Sequence, residues 1–343
     1  MAWDRLPDNQ GPGVDISDRI KWIIVAPDDT IQQGQGENFT FTPWAGEGNY
    51  IIHAEVTNDQ NYTTMEWFDI NVTQWAGLYK DVAAWGKNQH LYNEQIKYWA
   101  EKIFPDNPTA YANVMKTIFG QENDQFQPGL PQIGGGPGRG LGQIEVGEVT
   151  DSSVKNKKIN TYEGLLLEWN QRRYLSEYQE DQHWQELARA YQKILPKYDW
   201  KHKLAYNTPE GKALLDYGRQ QYPLLTRKEY NDNKGKFTQQ KLNEMANTEI
   251  ELSMAYYKWL LDYYGGGQIQ DMIEQTGIVG VFGYNMGPEN LLILKQQFGK
   301  KNWKNAKWED IDFDKLKEKG IVLDKHRKDY YKNVTKWLEI IDP

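Results

Sequence analysis

Apolar residues along the chain follow two different periods. Between about residues 15 and 75 the period is two: Tyr50, Ile52, Ala54 and Val56 alternate with Ile51, His53, Glu55 and Thr57, the pattern of a half-buried strand. Further strands are predicted at 20–25, 38–42 and 63–72, separated by the turn-rich runs Pro27-Asp28-Asp29 and Ala45-Gly46-Glu47-Gly48-Asn49. Short strands at this spacing predict a small β-sandwich over residues 1–80. From about residue 90 the period lengthens. Tyr111, Val114, Met115, Ile118 and Phe119 fall at i, i+3, i+4, i+7 and i+8, a helical stripe. A glycine-rich loop follows at 128–142, then about a hundred polar, helix-rich residues in which Trp184, Leu187, Ala188, Tyr191, Ile194 and Leu195 make one apolar face. Thr208-Pro209-Glu210 predicts a helix start. A long helix is predicted over 238–264, ending at Gly265-Gly266-Gly267, and a last one over 329–341. The fold class is therefore multidomain α and β: the sandwich, then an all-α domain over 90–343.

Composition excludes several classes of function. Residues 1–90 hold 13 acidic and 5 basic side chains, which accounts for the whole net charge of −8, and the rest balances 35 of each. Neither part has the basic excess of a nucleic-acid binder, so no such partner is expected. There is no run of 18 or more apolar residues, so no membrane span is expected. The opening Met1-Ala2-Trp3-Asp4-Arg5-Leu6-Pro7-Asp8 lacks a basic start followed by an apolar stretch, so no signal peptide is expected and the delivery route stays open. The chain has no cysteine, which rules out disulfides and thiolate metal sites. His53, His90, His183, His202 and His326 are scattered without a His-Glu-x-x-His pattern, so no metal is expected. The glycines between Gly134 and Gly140 are not followed by Gly-Lys-Ser/Thr and follow a helix, which argues against a phosphate loop. The abundant Trp and Tyr suit sugar rings, whose C–H faces pack on aromatic planes, although most such residues fill cores.

Glu122 is the first candidate for chemistry. It lies eleven residues after Tyr111 and four after Ile118, on the apolar stripe near the last turn of its helix. Desolvation and the negative end of the helix dipole both raise the pKa of a carboxyl placed there and keep it protonated near neutral pH. A glycosidic oxygen is a poor leaving group and needs such a donor. From periodicity alone, the plainer reading is a partly exposed Glu at a fraying helix end.

Three segments point past that plainer reading. Gln121-Glu122-Asn123, Gly140-Leu141-Gly142-Gln143-Ile144 and Gly283-Tyr284-Asn285-Met286-Gly287-Pro288 occur in this order. They resemble the signature of the lytic transglycosylase and goose-type lysozyme superfamily: a Glu-Ser pair, a Gly-Leu-Met-Gln-Ile loop and an Ala-Tyr-Asn-Ala-Gly-Pro segment. Tyr330-Tyr331-Lys332-Asn333-Val334 is similar to the Tyr-Val-x-x-Val opening of that family's closing helix. The resemblance covers about 92–150 and 245–340 and implies a lysozyme-like domain in which 151–244 is a helical insertion. Trp169, Trp184 and Trp200 are candidates there for stacking on a glycan, against a purely structural role. Residues 1–80 loosely resemble immunoglobulin-like or PKD-like modules, which implies a spacer or docking role, with direct glycan binding as the alternative.

The resemblance also implies roles. Glu122 protonates the leaving oxygen, Gln143 hydrogen-bonds the sugar or its N-acetyl group, Tyr284 orients Glu122, Asn285 contacts the sugar beside the cut bond, and Tyr330 supports the pocket. Asn123 stands where the family has Ser, Gly283 where it has Ala, and Gly142 where it has Met, which is expected to enlarge the pocket or shift the substrate. The implied reaction cuts the β-1,4 bond between N-acetylmuramic acid and N-acetylglucosamine in peptidoglycan, with no cofactor. A lytic transglycosylase uses one Glu as acid and then base, closing a 1,6-anhydro ring. An inverting hydrolase needs a second carboxylate with a water between the two. Glu145 is the best-placed candidate for that role, ahead of Glu148 and Asp124. The transglycosylase is preferred, with the goose-type hydrolase using Glu145 as the alternative. A chitinase on the same fold is a further reading, and so is a non-catalytic peptidoglycan binder docked through its N-terminal module to a phage tail or secretion apparatus. The implied site of action is the periplasm or cell wall.

Overall fold

The turn at Pro27-Asp28-Asp29 sets the register of the N-terminal sheet. Asp28 accepts from the Thr30 backbone N–H at 3.1 Å and from its hydroxyl, and Ala26 N–H donates to Thr30 O at 2.9 Å. Asp29 takes the left-handed conformation such a turn demands, φ 62°. The chain therefore reverses at once, and the next strand forms at Ile31–Gln35 rather than over 38–42. Residues 38 and 39 lie outside any strand, and 40–42 fall outside the described residues. The computed structural model describes residues 3–4, 14–39, 48–72, 75–133, 137–146, 161–169, 174–195, 207–262, 278–287, 313–318 and 325–341.

The protein is mixed α and β and divides into two compact units, residues 1–76 and 77–343. In the first, β1 (Trp3–Asp4) pairs with β2 (Val14–Asp15). Four longer strands, β3 (Lys21–Val25), β4 (Ile31–Gln35), β5 (Gly48–Thr57) and β6 (Thr63–Val72), form an antiparallel sheet in the order β4-β3-β5-β6. The period-two pattern explains its core: Ile24, Ala26, Tyr50 and Ile52 are buried, with Trp22 and Phe39 packed against them. Among the described residues of this unit the β structure is this one sheet and the short β1–β2 pair, and no facing second layer is seen.

The second unit is helical. It contains α1 (Asn93–Ile103), α2 (Pro108–Glu122), α3 (Thr161–Gly164, running into a π-helical turn at Leu165–Trp169), α4 (Ser176–Glu180) and α5 (Gln182–Ile194). There follow α6 (Pro209–Gln221), α7 (Arg227–Asn233), α8 (Gln239–Leu260), α9 (Ile278–Met286), α10 (Phe313–Glu318) and α11 (Lys325–Ile341). Asn107 caps α2, and Pro108 occupies its first turn, where no N–H is required. The apolar stripe of α2 is wider than its periodicity predicts: every residue from Ala110 to Gly120 is buried. Packing of α1 and α11 on α2, and of α8 on α1, accounts for this. Even Lys116 is enclosed, bonded to Leu78 O and 3.2 Å from His90 Nδ1, and burial pushes its pKa down to about 7.

Helices α3 to α6 pack as a lobe whose centre is Trp184. It is fully buried, with the rings of Tyr178, Tyr217 and Tyr222 around it. In this position Trp184 is core and has no face free for stacking on a ligand. The side chain of Trp169, and Trp200 altogether, lie outside what is described. Glu251 of α8 ties the lobe down by accepting from Ser176 N–H, the Ser176 hydroxyl and the Tyr222 hydroxyl at 2.6–2.8 Å.

Candidate active site

α2 delivers Glu122 to its C-terminal end, and the chain then turns back. Asn123 makes the turn. Its Nδ2 donates to Gln127 O at 2.7 Å and Gly140 O at 3.2 Å, and its Oδ1 accepts from Gln127 N–H. The longer amide does here what a serine hydroxyl could not, joining the helix end to the glycine-rich loop at two carbonyls. That loop closes as a tiny hairpin, β7 (Gly138–Arg139) with β8 (Ile144–Glu145). At its tip, Gly140 and Gln143 take left-handed φ values of 74° and 46°.

Gly142 is needed for close approach. A Cβ there would collide with Ser253 Oγ and the Tyr284 hydroxyl. The expectation that glycine at this position enlarges a pocket is therefore corrected: the space is filled by α8 and α9, and the missing side chain lets the backbone come in. The Tyr284 hydroxyl donates to Gly142 O at 2.8 Å, so α9 is bonded to the loop directly.

Glu122 is half-buried as a residue. Yet surrounding protein desolvates its carboxyl enough to push its pKa up to about 7. Tyr330 works against that shift and the charge of Glu145 adds to it. Tyr330 comes from α11, which is held beside the end of α2 by Asn333 Nδ2 donating to Gln121 Oε1 at 3.0 Å. The buried Tyr330 hydroxyl lies beside Glu122, close enough for each group to shift the other's pKa. Tyr284 is also buried, and that burial, with a smaller push from the Glu122 charge, raises its pKa well above the ordinary value. Both phenols are thus held neutral, as hydrogen-bond donors beside a carboxyl that exchanges its proton near neutral pH.

The remaining sequence candidates divide. Glu145 is exposed on β8 and near enough to act on Glu122 electrostatically. Asn285 is exposed at the end of α9. Gln143 is turned into its own loop, where Nε2 donates to Leu130 O and Gly140 O at 3.0 and 2.8 Å, with Oε1 buried. In this placement it staples the hairpin rather than presenting its amide outward. Asp124 is exposed, and Glu148 lies outside the described residues. Among the described residues no group of three or more acidic, His or Cys side chains is arranged to hold a metal.

Glu249, on α8, was not singled out by the sequence pattern. Its two oxygens accept from Gly129 N–H at 2.7 Å and Leu141 N–H at 2.9 Å, pinning both ends of the loop that faces Glu122. A Cβ on Gly140 would strike this carboxyl. Burial pushes its pKa up to about 8 despite both amides. The signal was present: Glu249 lies in line with Met245, Ala246, Ile250, Leu252 and Ser253 on the buried side of α8, an acid on an apolar face just as Glu122 is.

No family model, curated protein or solved structure matches the chain at a significant level. The likeness to the transglycosylase and lysozyme superfamily therefore rests on the motifs and on the site they build.

Proposed function

We propose that the helical unit is a lysozyme-like domain, with 151–244 as its insertion, that cleaves the glycan strands of peptidoglycan by a lytic transglycosylase reaction. Residues 1–80 would then be an accessory module of sandwich type. One observation carries this reading: Glu122 is a half-buried residue whose carboxyl is desolvated to a pKa near 7, beside two neutral tyrosines from the third and fourth segments of the motif order. Such a group gives its proton to the departing glycosidic oxygen and, as carboxylate, takes one back from the sugar's own 6-hydroxyl as the anhydro ring closes. Tyr330 steadies the charge that appears on it, and Tyr284 holds the neighbouring loop at Gly142 O. Asn285, exposed at the rim, is a candidate sugar contact.

The goose-type hydrolase stays as a second reading because Glu145 is a carboxylate close enough to influence Glu122 and open to water. Digestion of purified sacculi followed by mass spectrometry separates the readings. Anhydro ends support the transglycosylase and reducing ends the hydrolase, while intact strands overturn both in favour of a binder.

A further inference from the structure

The outer face of the N-terminal sheet carries chemistry that the helical site does not use. In the strand register Gln33, Ile23, His53 and Trp67 form one row across the sheet, and Gln35, Lys21, Glu55 and Met65 form the next. Residues two apart on a strand share a face, so these rows lie side by side, on the face opposite Ile24 and Ile52 of the small core. Trp67 is 64% exposed. His53 backs its ring, with centroids 4.3 Å apart and planes tilted by 37°. In the neighbouring rows lies a shallow cleft of about 460 Å³ lined by Arg19, Lys21, Gln33, Gln35, Glu55 and Thr57.

The make-up of this face restricts what it can hold. Lys21 Nζ is bonded to Glu55 Oε1 at 3.1 Å and Arg19 to Asp59, so the cations are answered locally. Residues 1–76 hold 12 acidic against 3 basic side chains, a net −9 that repels polyanions such as nucleic acid or anionic lipid. The cleft is too open and too polar to enclose an apolar small molecule. What remains is a neutral ligand with one apolar face and a rim of hydroxyl and amide groups. A pyranose ring fits: its C–H face packs on a supported indole, and its substituents meet glutamine amides and an ion pair that can both donate and accept.

We propose that this sheet face is a binding site for an N-acetylated, β-linked glycan strand, with Trp67 as its platform and Gln33, Gln35, Lys21 and Glu55 as its polar contacts. The identity of the sugar rests on the glycan-cleaving reading of Glu122, but the geometry of the face does not. Such a site keeps an enzyme on its insoluble substrate between cuts, through avidity.

The test uses the full chain carrying Glu122→Gln, so that strands stay intact. Binding is measured by co-sedimentation with purified sacculi and by titration with a soluble chitin tetramer. Adding Trp67→Ala should weaken sacculus binding about tenfold, and Gln33→Ala several-fold, while Tyr98→Ala, an exposed aromatic of α1, changes nothing. Trp67→Phe should restore part of the loss. Circular dichroism checks the fold, and Gln33→Ala decides the matter if Trp67→Ala unfolds. Binding within twofold of the parent in both variants overturns the proposal, as does failure of the parent to bind either probe. Loss of binding in Trp67→Ala, together with no cutting of sacculi by the chain that keeps Glu122, would sink the catalytic reading and leave this one standing.

Discussion

Glu122 and Glu249 are both acids on the buried faces of helices, both with pKa values raised by desolvation, to about 7 and about 8. Their surroundings differ in one respect that decides their roles. Glu249 is 3% exposed and each oxygen accepts a backbone N–H. Its hydrogen-bonding capacity is committed to the loop. Glu122 is only half-buried as a residue, and a side-chain phenol, Tyr330, rather than backbone N–H groups stands beside its carboxyl. A raised pKa alone therefore does not mark a catalytic acid, since structural carboxyls show it too. A desolvated carboxyl left free of backbone N–H groups is the better candidate, and on the proposed reading that is Glu122.

The largest effect expected from this contrast is on activity. Glu122→Gln should cut the release of soluble fragments from sacculi by about a thousandfold with the melting temperature held or raised, because an amide needs no proton to be neutral. A loss of helical signal in circular dichroism would make the residue structural instead. Glu249→Ala should do the reverse, costing about 3 kcal/mol of stability in denaturant unfolding because two buried N–H groups lose their acceptor. A change below about 0.5 kcal/mol would show that the clamp is unimportant.

The same carboxyl predicts a pH dependence of stability. Its folded pKa lies above the unfolded value, so the folded state holds the proton more tightly. Its contribution is fully present below about pH 4.5 and is lost as pH rises through about 8. Glu249→Gln should flatten that slope in unfolding measured across the window, and an unchanged slope would assign it to other groups.

Smaller effects sharpen the picture of Glu122. Tyr284→Phe removes one hydrogen bond to Gly142 O, worth about 1 kcal/mol, and should slow turnover only a few-fold; an unchanged rate would remove the hydroxyl from the site. On the proposed reading activity needs protonated Glu122, so the rate should fall above about pH 7. Tyr330→Phe should move that fall to higher pH, because the phenol stabilises the anion. Glu145→Gln should move it to lower pH, because its negative charge stabilises the acid. Shifts in the same direction would contradict the arrangement, and a near-total loss of rate in Glu145→Gln would favour the hydrolase.

How much of this was legible in the sequence depended on whether a side chain or the backbone sets the feature. The α2 stripe and the position of Glu122 on it follow from periodicity, because side-chain burial leaves a period. Strand β4 did not, since Ile31-Gln32-Gln33-Gly34-Gln35 has no apolar alternation and is placed by the turn before it. Gly142 was misread for a related reason: a missing side chain can mean open space or close approach, and only the neighbours Ser253 and Tyr284 tell which. Gln143 carries the residue type of a sugar contact, but its left-handed backbone folds it into its own loop. Trp184 sat on a predicted apolar face, and that face proved to be core.

The most direct measurement is a carbon-13 NMR titration of glutamate-labelled protein, with Glu122→Gln and Glu249→Gln for assignment, repeated with a chitin tetramer. The account predicts two carboxyl signals titrating near 7 and 8, of which the ligand moves only the first. A Glu122 signal titrating near 4.5, or one the sugar leaves untouched while Glu249 responds, would contradict it.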